Sequence, residues 1–242
     1  MPDKNRAYEM ALMSERAYLP PDKFHSDRRF NFHSAQGMQC YTVWTDKELI
    51  FTFRGTEVTE FADIKADLKF RRVGVGSEHE AGTVHRGFKS ALDALWDAVL
   101  EDYNRLCEGR HVIFTGHSLG AAIATLAMSR LDNYDAELYT YGSPRVGDSD
   151  FKAVFNFRFN NVFRFRNHND IVTRHPMSIP WNYRHVGISF YFDGDGELVT
   201  NPSFWHRLKQ FGSGMFEGFM DKKIDSFADH SVSNYVRLTR EI

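Results

Sequence analysis

The sequence predicts an α/β fold: a mainly parallel central sheet flanked by helices, in a single domain covering 1–242. Three observations predict it. β-rich runs alternate with helix-like runs through the middle of the chain, the pattern of strand–helix–strand units. Apolar residues make up 42% of the chain, enough for a sizeable core. The length is within reach of one α/β domain, since chains usually split only beyond about 250–300 residues. No repeat, low-complexity tract or Pro/Ser-rich linker interrupts the chain.

Taken in order, residues 4–18 read as a helix, with Ala7, Met10, Ala11 and Ala17 set among charges, and Pro20-Pro21 stops it. The segments 39–45 and 49–53 read as adjacent strands. Residues 57–84 are charged, include Gly74 and Gly76, and form no long periodic element. Phe88, Leu92, Leu95, Trp96, Val99 and Leu106 recur at helical spacing and predict a long amphipathic helix over 86–107. A β-rich run from His111 to Thr115 follows, then Gly-His-Ser-Leu-Gly, then a helix of small residues from Ala121 to Arg130. Ala136 to Tyr141 predicts a strand, 148–156 a short helix and Asn161 to Phe165 another strand. Tyr183 to Phe192 and Glu197 to Thr200 resemble a hairpin turned at Asp193-Gly194-Asp195-Gly196. A final helix starts near Ser231.

Composition narrows the function. The net charge of −2 gives no basic footprint for nucleic acid or an anionic membrane. No run of 18 apolar residues predicts a transmembrane helix. No Cys/His cluster has metal-ligand spacing, so neither metal nor cofactor is expected. No apolar core follows a basic start, so no signal peptide is read and cytoplasmic residence with free thiols is the expectation, with a removed signal or another export route left open. Whether Cys40 and Cys107 pair is open at this point. The 22 phenylalanines predict a Phe-rich core, with some rings lining an apolar cleft.

Gly116-His117-Ser118-Leu119-Gly120 fits Gly-x-Ser-x-Gly. The pattern alone is only suggestive, but here it follows a strand and opens a helix, the context of a nucleophile elbow. So tight a turn forces a strained backbone at its central residue and leaves no room for side chains two before and two after, hence Gly116 and Gly120. The helix N-terminus favours negative charge beside Ser118, and the Leu119 N–H is free to donate to an oxyanion. The competing reading makes Ser118 an ordinary helix cap.

A serine hydroxyl needs a histidine to take its proton and a carboxylate to orient that histidine. In this fold their order along the chain is Ser, acid, His. His175, His185, His206 and His230 are candidates. His230 is preferred because it follows all the strands, whereas His185 in a strand reads as structural. Asp170 is the preferred acid, in the loop after the strand ending near Arg166, since sheet-end loops carry catalytic groups in open α/β folds. Asp148, which reads as a helix cap, and Asp229, adjacent to His230, are its rivals.

These residues together resemble the class 3 lipase family, whose best-known members are secreted fungal triacylglycerol lipases. The resemblance runs from about Tyr41 to Tyr235. It rests on Phe51-Thr52-Phe53-Arg54-Gly55-Thr56, Val84-His85-Arg86-Gly87-Phe88, Thr115 to Gly120, Tyr141 to Gly147, Asn169-Asp170-Ile171-Val172 and Asp229-His230-Ser231. It implies an α/β-hydrolase fold and a serine carboxylic ester hydrolase acting on acylglycerol-type esters, with a lipid–water interface as a possible partner. By resemblance Thr56 joins Leu119 in holding the oxyanion, and a lid lies between Thr56 and His85, for which 59–70 would serve. The family also includes phospholipases and feruloyl esterases. An acyltransferase shares the acyl-enzyme, and a non-catalytic binding module would have lost part of the triad. The chain departs from the fungal members in having only two cysteines and in the segment 203–228, which is rich in aromatic residues and methionine.

Overall fold

The computed structural model describes residues 2–24, 27–55, 71–75, 81–131, 133–202 and 229–242. Its elements are α1 (Lys4–Arg16), β1 (Arg29–Ala35), β2 (Met38–Trp44), β3 (Glu48–Phe53), β4 (Arg72–Gly74), β5 (Thr83–His85), α2 (Arg86–Leu106), β6 (His111–His117), α3 (Leu119–Arg130), β7 (Glu137–Tyr141), α4 (Ser149–Arg158), β8 (Val162–Asn167), β9 (Ile188–Phe192), β10 (Leu198–Thr200) and α5 (Val232–Arg240). Eight strands form one sheet in the order β1-β2-β3-β6-β7-β8-β9-β10, and β4 pairs with β5 separately. Pairing is parallel from β3 through β9 and antiparallel at both edges.

The alternation of each strand divides the core in two. Phe51, Val112, Phe114 and Leu138 face α2, α3 and α4, whose Leu92, Leu95, Ile123 and Phe155 complete one cluster. Ile50, Ile113, Tyr139, Tyr141 and Phe165 face the other way, onto Met10 of α1 and Tyr235 and Leu238 of α5. α3 is buried from Leu119 to Ser129, which is why its residues are small. Buried hydroxyls also tie α1 to the sheet: Ser14 Oγ lies 2.9 Å from Thr115 Oγ1, and Thr52 Oγ1 donates to the Met13 carbonyl at 3.1 Å.

Some expectations need correction. The run 183–192 is not one strand. Gly187 has φ +72°, and a Cβ there would sit 2.3 Å from a Val162 methyl, so the chain bends and β9 begins at Ile188. His185 therefore precedes the strand. Strand β1 is additional, β4 is a short strand inside the irregular 57–84 stretch, and β5 is another that starts in it and ends at His85. Cys40 and Cys107 are both free thiols. Among the described residues, no helix is long and apolar enough to cross a membrane, and no group of histidine, cysteine and acidic side chains could hold a metal ion.

Candidate active site

β6 ends at His117 and α3 begins at Leu119, leaving Ser118 alone at the corner with φ 57° and ψ −127°. For a residue with a Cβ such a conformation costs of order 1–3 kcal/mol and persists only where its surroundings enforce it. Here the Ser118 N–H donates to the Tyr141 carbonyl at 3.0 Å. A Cβ on Gly116 would lie 2.5 Å from the Gly120 carbonyl, and one on Gly120 would lie 2.1 Å from the Phe53 oxygen. Both glycines are thus set by close backbone approach. Although Ser118 occupies the N-cap position, its side chain makes no cap hydrogen bond. Instead Oγ lies 2.8 Å from His230 Nε2. Leu119 is the first residue of α3, so its N–H has no acceptor within the helix.

The other ring nitrogen of His230, Nδ1, lies 2.9 Å from Asp170 Oδ2. A carboxylate can only accept, so Nδ1 carries the proton and Nε2 is left to accept from the Ser118 hydroxyl. Asp170 is fixed by two further donors: the Val172 N–H on Oδ1 at 2.9 Å and the Tyr235 hydroxyl on Oδ2 at 2.6 Å. Ser118, Asp170 and His230 are all completely buried, which strengthens each of these bonds relative to water. Gly142, at φ +61°, lets the chain pass here; a Cβ would meet Asp170 Oδ2 at 2.9 Å and the His230 ring at 3.0 Å.

Two supports around this triad have roles that sequence reasoning missed. The Tyr235 hydroxyl accepts from the Asn167 N–H at 2.9 Å while donating to Asp170. Burial and the Asp170 charge push its pKa well up, so it remains a donor. His117 Nε2 lies 2.7 Å from the His230 carbonyl and Nδ1 lies 2.8 Å from the Tyr18 hydroxyl. Burial, together with the His230 charge, lowers the His117 pKa well below the ordinary value. The ring is therefore neutral, with Nε2–H donating to the carbonyl and Nδ1 accepting from Tyr18. The signal available in sequence was placement alone: His117 precedes the elbow serine, and Tyr235 lies one turn into the helix after His230.

The rival residues have other partners. Asp148 caps α4 through the Phe151 N–H at 3.0 Å and accepts from Thr83 and Arg72. Burial pushes its carboxyl up, but these donors hold it below the usual range. Asp229 Oδ2 accepts the Asn169 N–H at 3.1 Å, bracing the acid loop. His185 Nε2 donates to the Thr173 carbonyl at 2.8 Å, and the His175 carbonyl accepts from the Arg145 N–H. His85 caps α2 by accepting from the Gly87 N–H. His206, Thr56, the lid segment 59–70 and the segment 203–228 lie outside the described residues.

A family model described as lipase (class 3) matches residues 50–179, more than half of the chain. The secreted mono- and diacylglycerol lipase 1 of Fusarium solani is 34% identical over 120 residues, which are 46% of this chain and 34% of that protein. Triacylglycerol lipase OBL1 of Arabidopsis thaliana is 28% identical over 82% of this chain and 55% of its own length. The chain thus spans between a third and just over half of these relatives. A solved triacylglycerol lipase, whose catalytic centre is described as a serine protease triad, superposes with a TM-score of 0.72 at 22% identity, over 90% of this chain and 92% of that one. The fold is that of the α/β-hydrolases, and the chain belongs to the class 3 lipase family.

Proposed function

We propose that the chain is a serine carboxylic ester hydrolase acting on acylglycerol-type esters, with 1–242 working as one catalytic domain. The observation that carries this is the unbroken hydrogen-bonded line from Ser118 Oγ through His230 to Asp170, set on a strained corner at the mouth of a helix. Ser118 attacks the ester carbonyl while His230 Nε2 takes its proton. The Leu119 N–H stabilises the resulting oxyanion, and Thr56 is proposed as the second donor. His230 then protonates the leaving alcohol, and water repeats the cycle on the acyl-enzyme. Asp170 holds the ring in its working tautomer and stabilises the imidazolium. No step needs a metal or organic cofactor.

Acylglycerols are favoured as substrates by the names of the Fusarium and Arabidopsis relatives. Ser118 is fully buried, and we infer that a rearrangement gives an ester access to it. We attribute that rearrangement to contact with a lipid–water interface. The test is fatty-acid release from monoacyl-, diacyl- and triacylglycerol, phosphatidylcholine and a feruloyl ester, with fluorophosphonate labelling alongside. Labelling at Ser118 and release from acylglycerols are expected, with a rise in rate once substrate forms an interface. Labelling elsewhere would overturn the triad. Acyl transfer to an added alcohol in place of release, or preference for the feruloyl ester, would overturn the lipase reading.

A further inference from the structure

The turn after α1 carries Tyr18 to the corner that holds Ser118, and there its hydroxyl meets two segments of the site at once. The oxygen lies 2.8 Å from His117 Nδ1. It also lies against Gly55, at the exit of β3: a Cβ added to Gly55 would sit 2.4 Å from the Tyr18 oxygen, 2.5 Å from the His117 carbonyl oxygen and 3.1 Å from Ser118 Cβ. The neighbouring Arg54 sets its guanidinium carbon 5.7 Å from the centre of the Tyr18 ring, and Gln39 Oε1 holds that guanidinium at 2.8 Å. The turn itself is anchored. The Ser14–Thr115 and Thr52–Met13 bonds fasten the end of α1 to β6 and β3, and the Tyr41 hydroxyl donates to the Leu19 carbonyl at 2.7 Å.

His117 transmits this anchor to the triad. Its ring packs on that of His230 with centroids 4.5 Å apart, and its Nε2 lies 2.7 Å from the His230 carbonyl. A carbonyl only accepts, so Nε2 carries the proton and Nδ1 of the neutral ring needs a donor, which Tyr18 supplies. A ring bonded at both nitrogens cannot turn about its Cβ–Cγ bond without breaking one of them. Without the hydroxyl, Nδ1 would be an unmet acceptor in an almost completely buried ring, and the ring could turn away from the His230 carbonyl. We infer that Tyr18 is a positioning residue of the reaction. Through His117 it fixes His230 over Ser118, and through Gly55 it registers the end of β3, which leads to Thr56, against the same point. The inference rests on the triad reading proposed above.

The test is Tyr18→Phe in the whole protein, assayed on a soluble p-nitrophenyl ester. Loss of one neutral buried hydrogen bond is expected to lower kcat about fivefold and to leave KM within about twofold. His117→Gln keeps an amide N–H for the His230 carbonyl but has no counterpart of Nδ1. In that background Tyr18→Phe should change kcat by less than about twofold, because the path it acts through is gone. A second readout is the His117 tautomer, seen in proton–nitrogen correlation spectra of protein labelled with ¹⁵N-histidine and assigned by its loss in His117→Gln. Wild type should show Nε2–H with a hydrogen-bonded Nδ1, and Tyr18→Phe should displace the Nδ1 resonance. The wild-type spectrum is decisive even where the Tyr18 variant does not fold. A kcat equal to wild type, a loss confined to KM, the same loss of kcat in both backgrounds, or a proton on Nδ1 in wild type would each overturn the inference. Fluorophosphonate labelling separates the two levels. Labelling of wild type at Ser118 beside any of those results overturns this inference alone, and labelling elsewhere removes the triad and the inference with it.

Discussion

Two of the carboxylate–imidazole pairs among the described residues, His33–Asp102 and His230–Asp170, differ in what else the carboxylate holds. At the sheet edge His33 Nε2 of β1 meets Asp102 Oδ2 of α2 at 2.6 Å, while Asn31 and Arg105 both donate to Oδ1. Among the described residues no hydroxyl or thiol bonds the other ring nitrogen of His33. In the candidate site Asp170 receives neutral donors from Val172 and Tyr235 besides His230, and His230 reaches Ser118 with its second nitrogen. Arg105 already compensates the charge of Asp102, so that pair is a static brace. Among the described residues no Lys or Arg pairs with Asp170, which leaves its charge to the imidazolium that forms during turnover. A buried acid–histidine contact is therefore not enough to mark a site; the second ring nitrogen and the free charge of the acid are what distinguish one.

Removing the nucleophile should break the comparison most visibly. Ser118→Ala is expected to lower kcat on a soluble p-nitrophenyl ester by about 10⁶-fold, and adding His230→Ala should cost almost nothing further, because the residues act as one unit. His33→Gln should leave the rate within about twofold. Comparable losses in the two histidine variants would erase the distinction. The two acids should separate next. Asp170→Asn is expected to lower kcat by about 10⁴-fold through the wrong imidazole tautomer. Asp102→Asn should instead lower thermal stability by about 1–3 kcal/mol through lost charged hydrogen bonds, with the rate preserved.

Histidines that remain neutral set the pH dependence of stability. Burial holds the His85 pKa down at about 4. The native ring stays neutral while the unfolded one takes a proton below its unperturbed pKa of about 6.5, so stability falls as pH drops through that value and levels off below the folded pKa. The loss approaches ~3 kcal/mol for His85 at pH 4. His117 and His185, whose pKa values are also lowered, add in the same direction. The carboxyls of Asp102 and Asp148 are held low, so their contribution is lost only at more acidic pH. Urea unfolding between pH 4 and 7 tests this. His85→Asn keeps a cap acceptor for Gly87 and should reduce the slope by about 1.4 kcal/mol per pH unit; an unchanged slope would remove His85 from this account.

Legibility in the sequence followed how local each constraint is. The elbow could be read because Gly116 and Gly120 answer to clashes within a few residues of chain and with one neighbouring strand. Asp170 and His230 could be ranked because chain order limits the choices. Strand β1 escaped notice although Phe30 and Phe32 alternate with polar residues, since Asp27, Arg28 and Arg29 make its start read as a charged loop. Tyr235 could not be separated from an ordinary core aromatic on an amphipathic helix. Its role depends on a hydroxyl meeting a carboxylate 65 residues away. His117 was hidden in the same way, since its partners come from the turn after α1 and from the loop before α5.

Tyr235→Phe sharpens the comparison at smaller scale. It removes a charge-assisted bond from Asp170 and leaves the Asn167 N–H without its acceptor, so about a tenfold loss in kcat is expected, with some loss of stability. A rate equal to wild type would mean that Val172 alone suffices to hold the acid.

Within the candidate site the smallest effect is expected at Asp229, the acid adjacent to His230. Its Oδ2 accepts the Asn169 N–H, and its carbonyl accepts from Asn167 Nδ2 at 3.0 Å. It thus ties the loop carrying the histidine to the loop carrying the acid. Asp229→Asn keeps the backbone carbonyl and one side-chain oxygen, so the tie to Asn169 weakens from a charged to a neutral hydrogen bond. That difference is about 1 kcal/mol or less, which corresponds to a rate loss of a few-fold if all of it is felt in the transition state. Asp229→Ala removes the acceptor altogether and should cost more, mainly in stability. The two acids are then compared in one assay at one pH. A loss for Asp229→Asn approaching that of Asp170→Asn, in protein of unchanged melting temperature, would transfer the role of the acid to Asp229. A few-fold loss would leave Asp229 as the brace that keeps His230 within reach of both its partners.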